Sequence, residues 1–118
     1  MVTMGKRILV IDDEQLLLDL MEDLLVRLGY QVDPVLDVRE AFDKLGEKEY
    51  DAVFLDMSMP LMDGREFYLK IREKFPALAG RIVFVTGDLA NPVTASFIKE
   101  SGNLLLQKPF TLSEVKDL

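Results

Sequence analysis

Four short apolar runs constrain this chain more than any other feature: Ile8-Leu9-Val10-Ile11, Ala52-Val53-Phe54-Leu55, Ile82-Val83-Phe84-Val85 and Leu104-Leu105-Leu106. Each is too short for a helix and lacks the alternation of a half-exposed strand. Each therefore reads as a strand buried on both faces of a parallel sheet. A fifth, weaker run spans Tyr30 to Leu36 and is interrupted by Pro34. Proline cannot donate to a sheet ladder, which puts that strand at an edge.

Helical patterns separate the runs. Between Gln15 and Leu28, the residues Leu16, Leu17, Leu20, Met21, Leu24, Leu25 and Leu28 form one apolar stripe. Asp19, Asp23 and Arg27 fall on another face, and Gly29 takes the C-terminal cap position. Asp37-Val38-Arg39-Glu40 reads as a capping box for a second helix ending near Gly46. A third helix is expected to follow Gly64 and run to Phe75, stopped by Pro76, and Asn91-Pro92 opens a fourth. Thr111-Leu112-Ser113-Glu114 is another capping box, opening a fifth helix that has barely two turns before Leu118 and reads as truncated.

Five strand–helix alternations make an α/β protein with right-handed crossovers. With the Pro34 strand at the edge, the expected architecture is a flavodoxin-like (βα)5 doubly wound sandwich, its five-stranded parallel sheet in order 2-1-3-4-5. Residues 1–118 are expected to form one domain, because no linker, repeat or low-complexity tract divides them.

Composition narrows the chemistry. The chain has no cysteine and no histidine, which excludes disulfides, the usual zinc sites, thiol nucleophiles and Ser-His-Asp triads. Its 14 Lys+Arg against 21 Asp+Glu leave a net charge of −7, which argues against contact with nucleic acid. That balance fits a hard divalent cation or a basic partner patch. No apolar run has the length of a membrane span, and Met1 to Lys6 does not open a signal peptide, so a cytoplasmic location without membrane contact is expected.

In open α/β sheets ligands bind beyond the carboxyl ends of the strands. The residues that follow the apolar runs are Asp12 and Asp13, then Asp56, then Thr86, then Gln107-Lys108-Pro109. Each piece has an ordinary reading by itself: a helix N-cap for Asp12-Asp13, turns for Asp56 and Thr86, a solvated lysine for Lys108. Their joint placement at four strand ends makes a site. Three clustered carboxylates need a compensating cation, and oxygen donors alone select Mg²⁺ or a similar ion. Asp13 and Asp56 would supply carboxylates, with Asp12 holding a coordinating water. Lys108 would meet a phosphoryl oxygen as a point charge, and the Thr86 hydroxyl could donate to the same oxygen. The set suits phosphoryl transfer to an aspartate.

At these residues the chain resembles the receiver domains of two-component response regulators, over about Lys6 to Leu118. The motifs are Ile8-Leu9-Val10-Ile11-Asp12-Asp13-Glu14, Leu55-Asp56-Met57-Ser58-Met59-Pro60-Leu61-Met62-Asp63-Gly64, Val85-Thr86-Gly87 and Gln107-Lys108-Pro109-Phe110. The resemblance implies that Asp56 accepts a phosphoryl group from a phosphohistidine on a sensor histidine kinase or histidine phosphotransfer domain. It implies that Asp12 and Asp13 hold Mg²⁺ together with Asp56 and the backbone carbonyl of Ser58. Lys108 would contact the phosphoryl group, with the bond to Pro109 typically cis. Thr86 would swing toward the phosphate and repack the face of the fourth helix, fifth strand and fifth helix, through which an output domain or a second copy would bind. Such a domain assists its own phosphorylation and is not a turnover enzyme.

Two departures stand out: Leu105 occupies a position that is often Tyr or Phe, and Gly87 replaces a more usual alanine. Ser58 and Asp88 flank the expected acyl phosphate, where residues tend to tune its lifetime. The segments Arg81 to Asp88, Ser101 to Asn103 and Leu106 to Phe110 look most like receivers of hybrid sensor histidine kinases. Three alternatives compete. An aspartyl-phosphate hydrolase of the haloacid dehalogenase type wants a second Asp where Ser58 stands, and a flavodoxin-like cofactor binder wants a Ser/Thr/Gly-rich loop where Asp12-Asp13-Glu14 stands. A degenerate receiver would act only as a docking module.

Overall fold

All five expected strands form: β1 (Arg7–Ile11), β2 (Gln31–Val35), β3 (Ala52–Asp56), β4 (Ile82–Thr86) and β5 (Leu104–Gln107). The structure, a computed structural model, describes residues 6–57, 64–87 and 92–107. Every pairing is parallel and the order is β2-β1-β3-β4-β5, as the edge proline requires. Pro34 lies opposite Val10 on the outermost strand, where the hydrogen bond it cannot donate costs least.

Burial follows position in the sheet. From Ile8, Val53 and Ile82 onward, every residue of β1, β3 and β4 is buried. Leu104-Leu105-Leu106 departs from its expected burial on both faces. Its strand is the other edge, so Leu104 is 53% exposed and only Leu106 is fully buried. An all-leucine run carries no mark of its neighbour count; the sheet order supplies it.

Alternation along the inner strands divides the core into two layers. Leu9, Ile11, Val53, Leu55, Ile82 and Phe84 line one face; Ile8, Val10, Phe54, Val83, Val85 and Leu106 line the other. Leu9, Val53, Leu55 and Phe84 are wholly buried, each worth roughly 1.5–3 kcal/mol of transfer free energy.

On the second face lies α1 (Gln15–Arg27), and its seven-residue apolar stripe needs correction. Of the stripe only Met21 and Leu25 are buried, while Leu16 is 82% exposed and Leu20 45%; the third buried residue, Leu18, lies outside the stripe. The face that meets the sheet runs through Leu18, Met21 and Leu25, rotated from the expected stripe, and a helix this rich in leucine carries no local mark of which face that is. The helix ends as expected: Gly29 has φ +96°, its N–H donates to the Val26 carbonyl, and the Tyr30 N–H donates to the Leu25 carbonyl. This is a Schellman cap, and it needs a residue free to take positive φ.

The first face carries α2 (Val38–Glu47) and α3 (Gly64–Lys74). The Asp37 carboxylate accepts from the Glu40 N–H at 2.8 Å, capping α2 as expected. Pro76 does stop α3, but it also opens the single turn α4 (Pro76–Ala79). The helix expected fourth is therefore α5 (Pro92–Ser101). Asn91 and the Thr111–Glu114 capping box lie outside the described residues.

Candidate functional site

The ends of β1 and β3 bring three carboxylates together. Asp12 follows Ile11 directly, Asp13 is the next residue, and Asp56 closes β3. One oxygen from each lies within 4.8 Å of the others. Asp12 and Asp56 are 5% exposed, whereas Asp13 opens to solvent. Ile11 pairs with Leu55 in register, so the two strands deliver their acids at the same level of the sheet.

Backbone bonds fix this arrangement. The Asp12 N–H donates to the Val35 carbonyl at 3.2 Å and the Met57 N–H to the Val85 carbonyl at 3.1 Å, extending both ladders past the strands. The Asp12 carboxylate accepts from the Glu14 N–H at 2.9 Å, a local turn that holds it over the sheet edge. The ordinary reading of Asp12-Asp13 as a helix cap does not describe this geometry. The N-cap of α1 is Glu14, in extended conformation, with no side-chain capping bond.

At 4.8 Å two unit charges repel by about 3.5 kcal/mol at an effective dielectric of 20 and by about 0.9 kcal/mol in water. Oxygens sharing one octahedral Mg²⁺ at about 2.1 Å stand about 3 to 4 Å apart, so the cluster is already near coordinating scale. Its all-oxygen donors fit a hard divalent ion.

Thr86 closes β4, 2% exposed, opposite Gln107 of β5. The structure thus brings Asp12, Asp13, Asp56 and Thr86 to successive strand ends. Ser58, Asp88, Lys108 and Pro109 lie outside the described residues. Leu105 pairs with Phe84 in register and packs, half-buried, on the same core face.

Two features escape a reading by motif. Tyr68 of α3, Phe84 of β4 and Phe97 of α5 pack ring against ring, with centroids 5.4 to 5.7 Å apart. Phe84 stands two residues before Thr86, a spacing that puts both on one face of β4. Farther away, the Asp33 carboxylate accepts from the Tyr50 hydroxyl at 2.7 Å, with Lys48 at 3.4 Å and Arg7 at 3.6 Å. Burial works to raise the Asp33 pKa, but the hydroxyl and the two cations outweigh it and hold the carboxyl below its usual value. Burial, and then the bond to Asp33, pushes the Tyr50 hydroxyl well up.

No helix among the described residues is long and apolar enough to cross a membrane. The transcriptional regulatory protein CutR of Streptomyces coelicolor is 35% identical over 111 residues, covering 92% of this chain and 49% of CutR. Hybrid signal transduction histidine kinase L of Dictyostelium discoideum is 30% identical over 118 residues, covering 95% of this chain and 7% of the kinase. The chain therefore spans half or less of these relatives. The response regulator TrrA of Thermotoga maritima, solved in complex with Mg²⁺ and beryllofluoride, superposes with a TM-score of 0.82. It is 30% identical, and the match covers 95% of this chain and 94% of TrrA. A family model described as the response regulator receiver domain matches residues 8–118. With that match running from the first strand through the acidic edge and onward, the chain belongs to the response regulator receiver domain family.

Proposed function

We propose that this domain accepts a phosphoryl group on Asp56 from a phosphohistidine of a sensor histidine kinase or histidine phosphotransfer domain. The observation that carries the reading is the meeting of three carboxylates from two adjacent strand ends within 4.8 Å, with a buried threonine hydroxyl closing the next strand. A carboxylate oxygen of Asp56 attacks phosphorus; the phosphorus–nitrogen bond breaks, its electron pair returns to the imidazole, and an acyl phosphate remains on Asp56.

Asp12, Asp13, Asp56 and the Ser58 carbonyl would hold the Mg²⁺, which when bound spreads the charge of the transferring group. The capture of Mg²⁺ and beryllofluoride by TrrA supports this. Lys108 would add a second cation. Asp12, buried and tied to the Glu14 amide, is placed to orient rather than to react. The domain is not a turnover enzyme in this reading: it holds the phosphate as a signal. Thr86 would move toward the phosphoryl group and alter the face built from α5, β5 and the segment after it, which would meet an output domain or a second copy. The phosphodonor has an apolar seat beside the site, because Leu16 and Leu20 are exposed one and two turns along α1 from Asp13.

Intact mass after incubation with Mg²⁺ and acetyl phosphate tests the assignment. Wild type gains one phosphoryl group and Asp56→Asn gains none. Equal gain by the variant, or none by wild type, overturns it. Absence of gain would favour a phosphorylation-independent docking module, and steady release of phosphate from an ester would favour a hydrolase.

A further inference from the structure

We infer that Phe97 is a positioning residue, the ring through which the state of the carboxylate site reaches helix α5; the inference rests on the phosphoacceptor reading. The position where the resemblance leads one to expect an aromatic switch holds Leu105, which cannot act as one. The aromatic mass lies elsewhere. Phe84 shares a face of β4 with Thr86 at the adjacent same-face position, about 7 Å along the strand. Its ring packs against Phe97 at 5.7 Å and Tyr68 at 5.5 Å, and those two meet edge to face at 5.4 Å. Tyr68 is held in turn by the Arg72 guanidinium, 5.8 Å over its ring.

The carboxyl end of α5 is pinned: the Asn103 amide nitrogen donates to the carbonyls of Ala79 at 2.6 Å and Ile82 at 2.9 Å. The Ser101 hydroxyl donates to the Ile98 carbonyl and accepts from the Asn103 N–H. Gly102, at φ +73°, makes the turn between them. Ahead of that pin, among the described side chains, Ile98 alone is buried and Phe97 is half-buried on the same core. With its carboxyl end pinned, the stretch of α5 that Phe97 seats on the ring seam shifts against that pin when the seam repacks. Close-packed interiors repack in discrete steps, so displacement of Thr86 beside Phe84 passes to Phe97.

The test follows amide shifts by NMR in the whole domain with Mg²⁺ and beryllofluoride. In wild type the amides of Asp12, Asp13 and Asp56 shift, and so do those of Ser96, Ile98, Lys99 and Glu100. In Phe97→Leu the site amides shift as in wild type while the α5 shifts are lost, and Phe97→Tyr restores them. Should Phe97→Leu fail to fold by circular dichroism, Phe97→Met carries the same comparison. Retention of the α5 shifts without the ring overturns the inference. So does a wild type whose site responds while α5 does not. A wild type whose site amides never respond refutes the phosphoacceptor reading itself, and that outcome is separately visible.

Discussion

Neutralising one acid of the cluster should stabilise the fold when no divalent cation is present, and Asp13→Asn is the cleanest case. Asp13 is exposed and its substitution leaves the Asp12 turn intact. It faces two carboxylates within 4.8 Å, and each pair costs about 0.9 kcal/mol in water and about 3.5 kcal/mol at an effective dielectric of 20. Exposure puts Asp13 near the water-like end, and a Debye length of about 8 Å at physiological salt roughly halves the value. The two pairs together then give about 1 kcal/mol, a rise in Tm of about 4 °C for a domain of this size. Urea and thermal unfolding in chelator read the difference. Added Mg²⁺ binds the folded wild type and stabilises it, by about 2.7 kcal/mol at a hundred times Kd, whereas Asp13→Asn responds far less. The two proteins therefore exchange rank between chelator and saturating Mg²⁺. If Asp13→Asn is no more stable than wild type in chelator, or gains as much from Mg²⁺, the electrostatic account of the site is wrong.

Other perturbations read the scaffold. Asn103→Ala removes both donors to the Ala79 and Ile82 carbonyls and should cost about 1–3 kcal/mol by urea denaturation, with faster hydrogen exchange in α5. Phe67→Ala empties a fully buried site whose ring packs 4.9 Å from Phe42, with an expected loss of about 3–5 kcal/mol in the same assay. Asp33 has a depressed folded-state pKa, so its contribution is complete above the unfolded value of about 3.9 and is lost as pH falls through the folded value. The urea midpoint should thus drop on acidification below about pH 4, and Asp33→Asn should show a shallower drop; equal slopes would remove Asp33 from the account.

Much of the fold was legible because its signals are local. Unalternating apolar runs need a sheet covered on both faces, Pro34 needs an edge, and Gly29 and Asp37 terminate helices through groups within a few residues of themselves. The site residues were legible for a related reason: a parallel sheet collects whatever follows each strand along one edge, so Asp12, Asp13, Asp56 and Thr86 could be gathered before any distance was known. The misreadings share a cause as well. The leucine-rich α1 does not say that Leu18, Met21 and Leu25 will meet the sheet while Leu16 and Leu20 stay exposed, and Leu104-Leu105-Leu106 does not say that nothing pairs beyond it among the described strands.

By itself, then, the sequence determined the class of fold, the strand order and the identity of the acidic edge, because periodicity and strand-end chemistry are properties of neighbours in the chain. Only the tertiary structure decided which apolar residues are buried, that Asp12 is fixed by the Glu14 amide rather than capping a helix, and that Tyr68, Phe84 and Phe97 form one seam. It also brought Asp33 to Tyr50, Lys48 and Arg7. The ring seam and the Asp33 cluster join residues far apart in the chain, and no local pattern encodes a distance that only folding closes.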